Sequence, residues 1–157
     1  MRGAAKIGWG LSLLLTFVGL AAYAGGPGNV GNNKSSSSSE EAIARHIEIL
    51  RTGKAQQRAA AAYWLGQQHS AAAGAVEHLV ELLGDANEID PAQYRAKKVF
   101  QKLTLGEEVA AALVNIGHPS IDPLIRVLKT SPDAQARKNA AWALGALHDA
   151  GGTATQI

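Results

Sequence analysis

The feature that most constrains this chain is a hexamer written three times. Ala140-Ala141-Trp142-Ala143-Leu144-Gly145 is matched almost position for position by Ala61-Ala62-Tyr63-Trp64-Leu65-Gly66, and more loosely by Ala112-Leu113-Val114-Asn115-Ile116-Gly117. Upstream and downstream segments repeat too: Ala75-Val76-Glu77-His78-Leu79-Val80-Glu81-Leu82-Leu83 aligns with Ser120-Ile121-Asp122-Pro123-Leu124-Ile125-Arg126-Val127-Leu128. Self-similarity at intervals of tens of residues marks stacked supersecondary units, none of which buries its apolar face alone.

The units read as helices. Ser38 followed by Glu41 makes a capping box, predicting a helix that opens near Glu40, carries Ile43, Ile47 and Leu50 on one stripe and stops at Thr52-Gly53. A second helix is expected over 55–67, with Ala59, Ala62 and Leu65 on its packing side, and a third over 72–83 with Val76, Leu79, Val80 and Leu83 on one face. Short loops between such helices make antiparallel hairpins. The period then breaks, because the step from Leu83 to Gly117 is about twice that from Leu50 to Gly66. An insertion over about 85–103 fills the difference. Asp90-Pro91 and the spacing of Ala92, Ala96, Val99 and Leu103 predict an inserted helix over 91–103. Thr104 and Glu107 form a second capping box that restarts the pattern. Pro119 opens the next helix, to about Lys129. Ser131-Pro132-Asp133 opens the last, to about His148, with Asp133 and Arg137 one turn apart.

The N-terminus belongs to targeting rather than to the fold. Arg2 and Lys6 precede an uncharged apolar run over 7–24 that ends in Ala22-Tyr23-Ala24, the organisation of a secretory signal peptide spanning 1–24. An uncleaved anchor is the alternative, since about 18 apolar residues can just span a bilayer. With the signal cleaved, no stable membrane span is expected and the destination is export, periplasmic or secreted. The whole chain has 15 Lys+Arg against 13 Asp+Glu, and the signal takes two of the basic residues, so the mature charge balances. That balance gives no reason to expect a nucleic-acid partner. Zero cysteines leave an exported domain to be held by its packed core. Residues 25–39, Gly/Ser-rich, read as a disordered linker; 150–157 read as a tail. Gly26-Pro27-Gly28-Asn29-Val30-Gly31 satisfies G-x-G-x-x-G formally, but no strand precedes it.

Over about 42–149 the repeats resemble HEAT-repeat proteins, in particular short bacterial repeats similar to those of phycobilin lyases. The residues that carry the likeness are Asp133-Ala134-Gln135-Ala136-Arg137-Lys138-Asn139-Ala140-Ala141-Trp142-Ala143-Leu144-Gly145 for a first helix, and Ile116-Gly117-His118-Pro119-Ser120-Ile121-Asp122-Pro123-Leu124-Ile125 for a turn and second helix. The resemblance implies an all-α fold, an α-solenoid of antiparallel helix pairs with one inserted segment, over residues 40–149. Val109 stands where Arg58 and Arg137 stand in the other repeats, so an Asp–Arg ladder through the stack is interrupted.

Chemistry-bearing patterns are sparse. His46, His69, His78, His118 and His148 include no pair at i, i+4, and the His-Glu pairs by which some HEAT-repeat oxygenases hold iron do not occur. No metal or other cofactor is expected. No serine sits in a nucleophile-elbow context. Arg95, Lys97, Lys98 and Lys102 follow Asp85, Glu88 and Asp90, an arrangement expected to complement the dipole of the inserted helix. Tyr63, Trp64 and Trp142 are expected at the core or its boundary. Stacked helix pairs curve, and their second helices line a concave surface. The resemblance implies that this surface presents Arg45, Glu77, His78, Glu81, Asp122, Arg126 and Lys129, which suits a non-catalytic scaffold binding a protein or peptide. It implies, as the rival, a lyase-type enzyme or chaperone for a tetrapyrrole. The last helix is expected to expose an apolar strip around Leu144 and Leu147, inviting weak self-association through the C-terminal edge.

Overall fold

The computed structural model describes residues 33–95 and 102–153, so the expected signal and the first part of the linker lie outside the described residues. Six α-helices follow in order: α1 (Asn33–Thr52), α2 (Ala55–Gly66), α3 (Val76–Val80), α4 (Leu105–Ile116), α5 (Ile121–Thr130) and α6 (Ala134–Thr153). They stack as two layers, α2 against α4 against α6 in one and α1, α3 and α5 in the other, joined by the α1–α2, α3–α4 and α5–α6 contacts. This is the expected α-solenoid of antiparallel helix pairs.

The repeated hexamer supplies the first layer's contact surface. Ala59, Ala61, Ala62 and Leu65 of α2, Val109, Ala112 and Leu113 of α4, and Ala136, Ala140 and Ala143 of α6 are all buried. Small side chains at helical spacing let helix axes come close. Two of the three repeat glycines sit where a side chain is disfavoured, for different reasons. A Cβ on Gly66 would sit 3.0 Å from the Cα of Ala112 on the neighbouring helix, whereas Gly117 ends α4 at φ +87°, a conformation that L side chains rarely adopt. Gly145 meets nothing within 4 Å.

Helix ends follow the sequence in part. The second capping box forms: the Glu107 amide donates to Thr104 Oγ1 at 3.2 Å and the Thr104 amide to Glu107 Oε2 at 2.8 Å. At the start of α2 the Lys54 amide donates to Gln57 Oε1 at 2.9 Å. The first expected box does not open α1, which begins at Asn33, so that Ser38 and Glu41 lie within the helix and residues 33–39 are helical rather than linker. Serine costs a helix only a few tenths of a kcal/mol relative to alanine, so a helix nucleated by its packed half propagates through the serine run. At the other end α6 runs past the expected stop at His148, through Gly151 and Gly152 to Thr153. The third helix is broken instead of continuous. His69–Ala75 forms a tighter 3-10 stretch before α3. Its first residue, His69, has φ 52°, and its ring Nδ1 lies 3.0 Å from the carbonyl oxygen of Asn115, tying the corner to the end of α4.

The insertion is the main correction. The helix expected over 91–103 is not continuous among the described residues, 96–101 lying outside them: two short strands, β1 (Glu88–Ile89) and β2 (Leu103–Thr104), pair antiparallel with Glu88 opposite Thr104 and Ile89 opposite Leu103. Asp90-Pro91 does start a helical turn, capped by Asp90 Oδ1 accepting from the Ala92 amide, but the turn spans only Pro91–Gln93. Tertiary partners overrule the helical spacing. The Gln56 amide group holds the Asp90 backbone from both sides, accepting from its N–H at 2.9 Å and donating to its carbonyl at 2.8 Å. Tyr94 packs against Tyr63, ring centroids 5.6 Å apart. Arg95 reaches α4, where its Nη2 donates to Glu108 Oε2 at 2.5 Å, and its guanidinium lies 5.2 Å from the Tyr63 ring centroid. Arg95 therefore answers a carboxylate rather than a helix dipole, and Lys102 does likewise with Glu88 at 2.9 Å. Lys97 and Lys98 lie outside the described residues. Burial first, and the Glu108 carboxylate second, push the Tyr94 phenol well above its ordinary pKa, so it stays protonated.

Glu108 is 1% exposed and Arg95 24%, so losing the arginine strands a carboxylate in the core. Arg95→Met is expected to destabilise the chain by about 3–5 kcal/mol, and the double variant Arg95→Met with Glu108→Leu to recover most of that loss. Denaturant titration of the three proteins checks this; a single variant as stable as the parent would show that the pair does not anchor the insertion.

Candidate functional site

The second layer presents its polar side outward. On α5, Leu124 is buried while Asp122, Arg126 and Lys129 are exposed, and on α3 Val76, Leu79 and Val80 are buried while Glu77 is exposed and His78 half-buried. Glu81 follows in the turn after α3, and Arg45 is exposed on α1. Apolar residues at helical spacing turn these faces inward and leave the intervening charges in water.

The structure brings some of the candidate residues together. Arg126 Nη2 donates to Glu77 Oε2 at 2.5 Å, joining α5 to α3 across the repeat boundary. The Arg126 hydrogen bond holds the Glu77 carboxyl below the usual carboxylate range, and the carboxylate raises the arginine in return. Both side chains are more than half exposed, at 55% and 63%, so screening by solvent leaves the pair a small contribution to stability. Because the Glu77 value is depressed on folding, that small contribution is present above the ordinary carboxylate range and fades as the pH falls through it. Arg45, Asp122 and Lys129 remain exposed on separate turns.

His78 and Glu81 line a cavity of about 290 Å³ together with Leu50, Arg51, Arg58 and Leu82. Sequence reasoning marks neither arginine as a site residue, although the recurrence of Arg58 and Arg137 at one repeat position signals a shared role. That role is not an Asp–Arg ladder. Arg137 Nη1 donates to the carbonyls of Ser131 and Pro132, at 2.8 and 2.9 Å, and Arg58 Nη2 donates to the carbonyl of Arg51 at 3.1 Å. Each arginine thus closes the C-terminal end of the preceding second-layer helix, where carbonyls lack intrahelical donors. Asp133, expected to face Arg137, instead accepts from the Gln135 amide at 2.8 Å. In the middle repeat Val109 is fully buried, and the Leu83 carbonyl is satisfied from α6 by Asn139 Nδ2 at 2.7 Å.

A larger cavity of about 610 Å³ lies along α1 and α2, its walls including His46, Tyr63, Trp64 and Tyr94. His46 and Trp64 stack at 3.9 Å with their planes 6° apart. Tyr63 and Trp64 are half-buried as expected, but Trp142 is 57% exposed, beside a cavity of about 360 Å³ that it lines with Ala110 and Ala111 of α4. Leu144 and Leu147, expected to form an exposed strip, are half-buried against the core. Among the described residues no group of three or more His, Cys, Asp or Glu could hold a metal ion, and no helix is long and apolar enough to cross a membrane.

Residues 116–147, the end of α4 through α5 and most of α6, match the model of the Armadillo/beta-catenin-like repeat. An Armadillo/HEAT-like repeat region is therefore present, which places the likeness at the level of that broad superfamily rather than of phycobilin-lyase repeats. No curated protein and no solved structure matches the chain.

Proposed function

We propose that this chain is a non-catalytic repeat scaffold that docks a protein or peptide partner on the outward face of α1, α3 and α5, outside the cytoplasm. The observation that carries the reading is the division of each second-layer helix into a buried apolar side and a charged outer side, continuous from α3 to α5 through Glu77 and Arg126. Arg45, Glu77, His78, Glu81, Asp122, Arg126 and Lys129 supply mixed charge over an extended surface, which favours recognition of a polar segment over chemistry on a small molecule. Export rests on the basic start, apolar run and Ala22-Tyr23-Ala24 of the N-terminal segment. Charge reversal at two exposed positions of α5, Arg126→Glu with Lys129→Glu, is expected to abolish capture of the partner from the exporting compartment while the circular dichroism spectrum stays unchanged. Undiminished capture by that folded variant would remove this face from consideration.

The aromatic cavity favours a second reading, a chaperone or lyase for a tetrapyrrole, because four rings along one groove suit a flat apolar ligand. Titration with haem or a free bilin decides it. A saturable one-to-one visible band that is lost in Trp64→Ala supports this reading, and a flat titration removes it.

A further inference from the structure

A small cavity opens between the end of α1, the start of α2 and the end of α3. Arg51 and Arg58 line it with His78, against a single carboxylate, Glu81, and the apolar side chains of Leu50 and Leu82 close its remainder. The two repeat-equivalent arginines differ in a way that points to a ligand. Arg137 gives its guanidinium to two carbonyls, whereas Arg58 gives only Nη2 to one, and its Nε is buried without a hydrogen-bond partner. A buried guanidinium N–H left unmade is costly, and an incoming oxyanion relieves it. Arg51 is available as well. Its ion pair with Glu48 spans 3.4 Å between side chains 64% and 58% exposed, a contact weak enough to exchange.

From this geometry we infer that the cavity is a subsite for an anionic side chain, a carboxylate or a phosphoryl group, presented by an extended partner peptide. Arg58 offers its free Nε–H, and Arg51 swings from Glu48 to complete the clamp with charge-assisted bonds. At about 290 Å³ the space sits just below the range of small-molecule pockets and suits one side chain better than a cofactor. Glu81 opposes the ligand and sets a ceiling on its affinity. The inference rests on the docking face proposed above, but names one position on it and the charge that position selects.

Fluorescence anisotropy of the full chain with three labelled octapeptides tests it: alternating Gly-Glu, alternating Gly-Lys, and alternating Gly-Ser with its serines phosphorylated. The glutamate or the phosphoserine peptide is expected to bind, identifying the source of the anion, and the lysine peptide is not. Arg51→Gln, an exposed position whose loss leaves folding intact, is expected to weaken that binding about tenfold, the worth of one charge-assisted hydrogen bond. Removing the opposing charge with Glu81→Gln is expected to tighten it about threefold. Binding of neither anionic peptide, equal binding of the lysine peptide, or an Arg51→Gln variant that binds like the parent overturns the inference. If the charge reversal at Arg126 and Lys129, which lie outside the cavity, abolishes capture of the natural partner in any of those cases, the docking face stands and only the anionic subsite falls.

Discussion

Everything in this molecule depends on how closely α4 approaches α2 on one side and α6 on the other. A Cβ on Gly66 would press on Ala112 at 3.0 Å, and buried alanines of the repeated hexamer line the packed side of α6. Close axes bury little area per residue, because alanine has little to bury. They gain instead from dense packing along the whole length of each helix. Among the described helices of its layer α4 is the one with a neighbour on each side, and its core residues, Val109 and Leu113 among them, are fully buried. A stack of this kind is held by nearest-neighbour contacts, and the middle helix is the one that both neighbours share.

Polar groups are disposed around that stack according to how much water they keep. Where water is excluded, partners are strong and specific: Glu108 with Arg95, and the Leu83 carbonyl with Asn139. Where water remains, pairs such as Glu77 with Arg126 add little stability and instead set the pattern of charge that a partner meets. The insertion belongs to the first group, since Arg95 and Gln56 fasten it to α4 and α2. The cavity around Arg58 stands between the two, with one edge of the guanidinium spent on a carbonyl and Nε unsatisfied.

Repetition makes the stack legible in the amino-acid sequence. The hexamer locates α2, α4 and α6, and the apolar stripes separate the buried from the outward side of α3 and α5. Local chemistry is legible where it is self-contained, as in the Thr104–Glu107 box, and misleading where distant residues decide the outcome. The spacing of Ala92, Ala96, Val99 and Leu103 fits a helix, yet Glu108 and Tyr63 draw Arg95 and Tyr94 out of helical geometry. Trp142 shares a repeat position with Tyr63, but Tyr63 has Tyr94 from the insertion to pack on. The candidate face is readable as a set of positions. The small cavity is not, because Arg51, Arg58, His78 and Glu81 come from three elements whose juxtaposition no local spacing encodes.

The central claim, that the fold is held by α4 through its two close neighbours, is tested most directly by native-state hydrogen exchange on the full chain. The account predicts that the amides of Val109 through Leu113 exchange most slowly, with protection falling toward α1 and toward the end of α6. Amides of α2 or α6 that outlast those of α4 would contradict it.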